Sequence, residues 1–156
     1  MEIEAAMRRY LMSDDTIAGY CGKKIYTYEV SDDEFVGSGG VAIALRRVGG
    51  WTTPQLLNTQ EYPLVNVQCW ADLACRGCTP STAETAAWAL YRALDPLIHG
   101  QGDVTWGGDS GLYVIRASRN AEPVLQERRA GSTDQGGVIR NASCYVSVGY
   151  AIQTFH

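Results

Sequence analysis

The sequence predicts an α+β fold in which a mixed, mostly antiparallel sheet packs against one long and one short helix. Apolar and polar side chains alternate over residues 64–71, the period of a strand with one buried face. Residues 81–94 then place apolar side chains at helical spacing. Two alternating segments, 112–129 and 138–153, end the chain and predict a long projecting C-terminal β-hairpin. We expect the other elements to pack around the strand and helix of 64–94.

The first part of the chain predicts a short helix and two strands. Apolar residues recur every three or four positions over 2–12, as in an amphipathic helix. A polar break leads into a brief turn over 16–22. β-Branched and aromatic residues over 24–30 predict the first strand, and the apolar alternation of 41–48 predicts the second.

Residues 49–61 show no period and predict a flexible loop. The loop contains Trp51, Leu56 and Leu57, which are large apolar side chains that need a partner. They fold back over the domain's own core or form a contact between subunits, since aromatic residues are enriched at interface cores, and both can hold at once. The sequence leaves both interpretations open.

The connection before the long helix contains a Cys-x-x-Cys motif at Cys75 and Cys78. A structural zinc site takes four ligands, and the chain has neither a second such motif nor more than two histidines. A turn is therefore the preferred interpretation, with a metal or redox site as the alternative. Cys69 and Cys144 lie in apolar strand patterns, so we expect reduced thiols.

Two sets of residues can start the long helix. Thr79 can cap it with Pro80 at the first helical position, or Ser81 and Glu84 can form a capping box. Pro96 weakens the helix near its end.

Residues 99–111 are rich in glycine and predict turns around a short edge segment at 104–106. Their spacing fits neither of the glycine-rich phosphate-binding motifs. Residues 108–111 resemble the surroundings of a serine-protease nucleophile, which with His99 would make Ser110 a candidate nucleophile. The match is short and stands alone, so a small hydrolase is a remote alternative.

The chain ends in two long strands. Residues 112–119 predict one strand, which continues to 129 after a kink at Pro123, and 138–153 predict its partner. The polar segment 128–137 between them predicts a flexible tip that reaches into a neighbouring subunit or into a lumen.

Composition restricts the classes of function. The 156 residues are 46% apolar and 19% charged, with a net charge of −4, which argues against a protein whose main task is to bind nucleic acid. Four positions at 31–34 form an acidic turn without the spacing of a calcium loop. The acidic start is unlike a signal peptide and no segment is apolar enough to span a membrane, so we expect synthesis in the cytoplasm.

The sequence resembles the tail terminator proteins of long-tailed, siphovirus-type bacteriophages. The resemblance rests on the opening helix, on residues 62–72 leading into the helix of 82–94, and on the closing strands. It covers most of the chain, which we expect to form a single domain over 1–156. The Cys-x-x-Cys motif and the extended tip at 132–137 have no counterpart in it.

The resemblance implies a virion structural protein without enzymatic activity or cofactor, made in the bacterial host and placed in the tail or neck. It implies a hexameric ring that contacts the major tail tube protein on one side and a head-completion or connector protein on the other, with DNA passing through the lumen without specific binding. Another head–tail connector, a stopper or a minor tail protein is the nearest alternative. Interface candidates are Trp51, Leu56, Leu57, Arg116, Arg119, Arg128 and Arg129.

Overall fold

A computed structural model describes residues 2–28, 40–53, 60–72, 80–133 and 139–155 of the chain. In these ranges three helices pack on one face of a seven-stranded sheet. The helices are α1 (Ile3–Met12), α2 (Asp15–Cys21) and α3 (Pro80–Ile98). The strands are β1 (Ile25–Thr27), β2 (Val41–Thr53), β3 (Gln60–Asp72), β4 (Gly102–Trp106), β5 (Leu112–Arg119), β6 (Val124–Thr133) and β7 (Ile139–Phe155).

The sheet is mixed and mostly antiparallel, as predicted. Its strands follow the order β1-β2-β3-β7-β5-β4, and β1 and β2 form the parallel pair. Strand β6 continues along the edge of β7 that β5 occupies, since Arg119 pairs with Tyr150 and Val124 with Ser147. The predicted kink at Pro123 thus separates two strands that lie in line on the same neighbour. Strand β4 is the predicted short edge segment and pairs with β5.

The main core lies between the helices and one face of the sheet. Val65, Val67 and Cys69 on β3 and alternate residues of β7 are buried against the apolar side of α3. Fully burying a Val, Leu or Ile side chain contributes roughly 1.5–3 kcal/mol, so this face dominates the stability of the fold. The described cysteines, Cys21, Cys69 and Cys144, are buried. Cys21 and Cys69 are free thiols, as expected for reduced cysteines. Burial raises the pKa of the Cys21 thiol to about 11.

Two helices differ from their predicted form. Residues 15–21 form α2 where the sequence predicted a brief turn over 16–22, because the Asp14 carboxylate accepts the N–H groups of Thr16 and Ile17 at 3.0 Å and caps the helix. Helix α3 begins at Pro80, one of the two predicted starts, and continues through Pro96 to Ile98. Ile98 is fully buried, so packing holds the last turn despite the proline.

Strands β2 and β3 are longer than predicted. Residues 49–53, predicted as loop, pair with residues 60–64, of which 60 and 61 were also predicted as loop. Gly50 and Pro63 interrupted the pattern in the sequence, but they lie opposite each other beside a register shift between Arg47 and Gly49. A bulge of this kind accommodates a proline within a sheet. Strand β1 is shorter than predicted and ends at Thr27, where Tyr28 adopts a φ of 84°.

The C-terminal hairpin projects beyond the rest of the sheet. The pairing of β3 with β7 ends at Asp72 and Ser143, whereas β6 continues to pair with β7 as far as Thr133 and Ile139. We call residues 128–133 and 139–143 the arm. Within the described ranges the arm is a two-stranded ribbon, which confirms the predicted projection. The remainder of the predicted tip, 134–137, lies outside those ranges, as does residue 138 of the predicted last strand.

Candidate interaction surfaces

An exposed aromatic pair marks one end of the sheet. Trp51 and Tyr62 lie directly opposite each other on β2 and β3, and their rings stack with centroids 4.0 Å apart and planes 11° apart. Cross-strand aromatic pairs stabilise a sheet by about 0.5–1.5 kcal/mol beyond the area they bury. Trp51 nevertheless remains 59% exposed. It does not fold back over the core, so that interpretation of Trp51 is wrong.

Polar contacts hold the tyrosine of this pair. The Tyr62 hydroxyl donates to Gln60 Oε1 at 2.8 Å and accepts from Gln153 Nε2 at 3.1 Å. Gln153 Nε2 also donates to Gln60 Oε1 at 3.2 Å. The ring on which Trp51 stacks is therefore fixed by two strands. We call Trp51, Tyr62, Gln60 and Gln153 the aromatic end.

The bulge next to the aromatic end is braced by the first helix. Glu4 on α1 is only 5% exposed, and its Oε1 accepts the backbone N–H of Arg47 at 3.0 Å. The Arg47 side chain donates from Nε to the Gly49 carbonyl at 3.3 Å and pairs with Glu61 at 3.6 Å. A buried carboxylate therefore supplies the acceptor for an N–H at the irregular position of β2.

Among the described strands, none pairs with the outer edge of β2 beside the aromatic end. Strand β1 pairs with residues 43–45 of β2, and no other described strand pairs with this edge. The described side chains of 46–52 are exposed, and Val48 is 60% exposed. Open strand edges are ready sites for pairing with another chain, although the bulge limits how far such pairing can extend.

A second Trp–Tyr stack lies on the same sheet face as Trp51 and Tyr62, and its tryptophan is buried. Trp70 and Tyr145 are opposite residues on β3 and β7, with ring centroids 4.3 Å apart. Trp70 packs with Ala42 and Ala44 and is only 7% exposed. The tryptophan of the Trp70–Tyr145 stack is thus buried within the chain, whereas most of the Trp51 side chain at the aromatic end is exposed to solvent.

Arg119 belongs to a network within the chain. Its Nη1 donates to the Tyr91 hydroxyl at 2.9 Å, and its Nε lies 3.8 Å from Asp95 Oδ1. Its backbone N–H donates to His99 Nδ1 at 3.0 Å. The hydrogen bond with Tyr91, together with the nearby Asp95 carboxylate, raises the pKa of Arg119. The same carboxylate accepts the hydroxyl of buried Tyr150 at 2.7 Å, and burial is the main cause of the raised pKa of Tyr150.

The other predicted interface residues are spread over the molecule. Arg116 is exposed on β5 beside Gln153 of β7, near the aromatic end. Arg128 and Arg129 lie on the arm, for which the structure describes the backbone only. Leu56 and Leu57 lie outside the described residues. The aromatic end pairs with β7 near Phe155, whereas the arm contains the start of β7 at Ile139, so the two regions lie at opposite ends of one strand.

The geometry argues against the hydrolase alternative. His99 contacts Arg119 at one end of β5, and Ser110 precedes Leu112 at the other end. Seven residue steps along a strand span about 20 Å, which is too far for an imidazole to activate a hydroxyl.

The described ranges also bear on metal sites and membrane-spanning helices. There, no group of three or more His, Cys, Asp or Glu side chains is placed to hold a metal ion. Cys75 and Cys78 lie outside those ranges, so the motif they form stays a prediction. The described helices include none that is long and apolar enough to cross a membrane.

Sequence reasoning missed the partners of Trp51. Tyr62, Gln60 and Gln153 come together through the registers of three strands, which the sequence does not reveal. The available signal was the presence of an aromatic residue near each end of the segment 49–62, Trp51 and Tyr62, since a hairpin brings such residues opposite each other.

The fold resembles that of a known virion protein. A chain in the virion of a native gene transfer agent particle matches with a TM-score of 0.53 and 17% sequence identity. The match covers 99% of this chain and 95% of that chain, so the likeness extends over the whole fold. No protein-family model and no curated protein matches the sequence.

Proposed function

We propose that the chain is a structural protein of a phage-like virion, in which it acts as the tail terminator. It would cap the tail tube as a ring, a hexamer by the resemblance, and join the tube to the head-completion complex, with DNA passing through the lumen. The observation that carries the proposal is the fold shared over almost the full length with a chain of a gene transfer agent virion. The resemblance of the central strand and helix to tail terminators supports the finer assignment.

The distribution of surfaces supports a joining role. A ring built from identical chains needs two different surfaces that meet head to tail, and a connector needs further contacts above and below. The aromatic end and the arm differ in composition and lie at opposite ends of β7. Each is therefore available to a different partner, such as a neighbouring copy, the tube protein or the head-completion protein.

We assign the contact between copies to the aromatic end and the adjacent edge of β2. Interface hot spots are enriched in tryptophan and tyrosine that are already ordered before binding. Trp51 fits this description, because its stacking on Tyr62 and the polar frame of that ring limit its freedom. Arg116 and this edge of β2 would supply the polar rim of the contact.

The test is the solution mass of Trp51→Ala by light scattering. We expect the wild type to form a ring. The Trp51→Ala variant should have an apparent dissociation constant about 30-fold higher, since losing a hot spot costs about 2 kcal/mol per contact. Tyr20→Ala is the matched control, because Tyr20 is an exposed aromatic side chain on α2 with 45% exposure. A monomeric wild type, with and without tube protein, would overturn the ring. If the Trp51→Ala and Tyr20→Ala variants had equal masses, Trp51 would not belong to the contact.

A different connector, such as a stopper or minor tail protein, is the second candidate. The similar structure is a whole virion, so the likeness of fold does not assign the chain to one position within the particle. Negative-stain images of the protein mixed with tail tubes separate the two. A tail terminator binds the end of the tube and stops its growth, whereas a stopper leaves the tube length unchanged.

A further inference from the structure

The arm differs in charge from the rest of the molecule. Residues 128–133 and 139–143 contain Arg128, Arg129 and Arg140 and no acidic residue. The whole chain has a net charge of −4, so its remaining residues are strongly acidic in balance. A local basic segment in an acidic protein is the electrostatic footprint of an anionic partner.

The fold brings these arginines onto one short ribbon. Arg128 pairs with Ser143 and Arg129 with Ala142, and Arg140 follows on β7 opposite Ser132. Four residue steps of a strand separate the first of these pairs from the last, which is about 13 Å. Three arginine positions therefore lie close together in the register of a narrow, projecting, two-stranded element.

The composition of the arm favours nucleic acid over an acidic protein as the anion. Protein interfaces are enriched in aromatic residues, and the arm contains none. Its other residues include Ser132, Thr133, Asn141 and Ser143. Such hydroxyl and amide side chains, together with arginine, make most contacts to phosphates. A two-stranded ribbon also fits the major groove of DNA, which is about 12 Å wide.

We infer that the arm binds the phosphate backbone of double-stranded DNA without reading its sequence. The inference goes beyond the proposed function, because it concerns the arm alone and holds for an isolated chain as well as for a ring. In a ring, several arms would act together and raise the apparent affinity.

The test measures binding of the full chain to a fluorescein-labelled 30-base-pair duplex by anisotropy, over a range of salt concentrations. The variant Arg128→Gln/Arg129→Gln/Arg140→Gln removes three charges from the arm. The control Arg9→Gln/Lys23→Gln/Arg92→Gln removes three charges from exposed positions on or beside the helices. We expect the arm variant to weaken binding at low salt by 10-fold or more. The salt slope should fall by about 2 to 3, since each phosphate contact adds about 0.9 to it.

Further measurements keep the outcome of the experiment decisive. Replacing the same three residues by lysine should preserve most of the salt slope, which separates lost charge from a damaged ribbon. Poly-glutamate should compete poorly with the duplex. The inference is overturned if the wild type does not bind DNA at low salt, or if the arm and control variants have the same slope. It is equally overturned if poly-glutamate displaces the DNA at equal charge, which would assign the arm to an acidic protein. Light scattering of the same samples reports separately on the ring.

Discussion

The aromatic end and the arm lie at opposite ends of β7 and are built in different ways. At the aromatic end β3 has a neighbouring strand on each side, and Glu4 anchors the adjacent bulge to α1. In the arm, β6 pairs with β7 alone among the described strands. Side-chain contacts and the close approach of two backbones fix the aromatic end. For the arm, the structure describes the backbone pairing of β6 with β7.

This fold therefore separates stability from one of its contact surfaces. A rigid end loses little entropy when it binds, which suits a specific contact between proteins. A two-stranded ribbon is marginally stable by itself and can adapt to its partner. Changes at the aromatic end should therefore alter both stability and assembly, and changes in the arm should alter binding alone.

The largest effect should come from Gly50→Ala. Gly50 has a φ of 121°, and an added Cβ would lie 2.5 Å from the Tyr62 carbonyl oxygen and 2.6 Å from Pro63 Cα. Because the clash is with backbone, β2 and β3 must separate. We expect a loss of roughly 3 kcal/mol in the free energy of unfolding, and a Tm lower by about 6–12 °C, measured by calorimetry at fixed protein concentration.

Gly49→Ala is the matched control for that change. Its added Cβ meets only Leu64 Cδ1 at 3.8 Å, an ordinary contact, so the Tm should change by no more than about 2 °C. If both alanine variants melted together near the wild-type Tm, the aromatic end would not have the constraint described above.

A smaller effect should come from Glu4→Ala. The change leaves the Arg47 N–H without its acceptor and removes a buried side chain, which should cost about 2 kcal/mol. Glu4→Gln keeps an acceptor oxygen and should recover about half of that loss. Chemical denaturation measures both, with Glu2→Ala as the control at the exposed N-cap position that precedes the same helix. Equal stability of the Glu4→Ala and Glu2→Ala variants would show that α1 does not brace the bulge.

Local periodicity predicted most of the fold. The bounds of β5 are those of the predicted strand, and α1 and the core of α3 follow the apolar spacing of their residues. In each case the signal lies within one element. The predicted projecting hairpin also follows from two long alternating segments separated by a polar one.

The rest depends on contacts between distant residues. Gly50 and Pro63 are strand breakers in isolation and become a bulge only when they pair. Glu4 braces Arg47 across 43 positions of sequence, and nothing local marks this contact. At the candidate site, Trp51 was identified as an apolar residue in need of a partner, but its stacking on Tyr62 follows from register. The network of Arg119 was missed for the same reason.

The smallest effect on stability should come from the arm. The triple change Arg128→Gln/Arg129→Gln/Arg140→Gln removes charge but leaves the backbone pairing of β6 and β7 unaltered, and substitutions away from a packed core usually cost little. We expect the free energy of unfolding to change by less than about 0.5 kcal/mol in chemical denaturation, while DNA binding falls as described above. The Gly50→Ala variant, measured in the same experiment, provides the large loss in free energy of unfolding for comparison. A loss from the arm variant approaching that of Gly50→Ala would mean that its arginines support the fold, and the contrast between the two ends of β7 would then disappear.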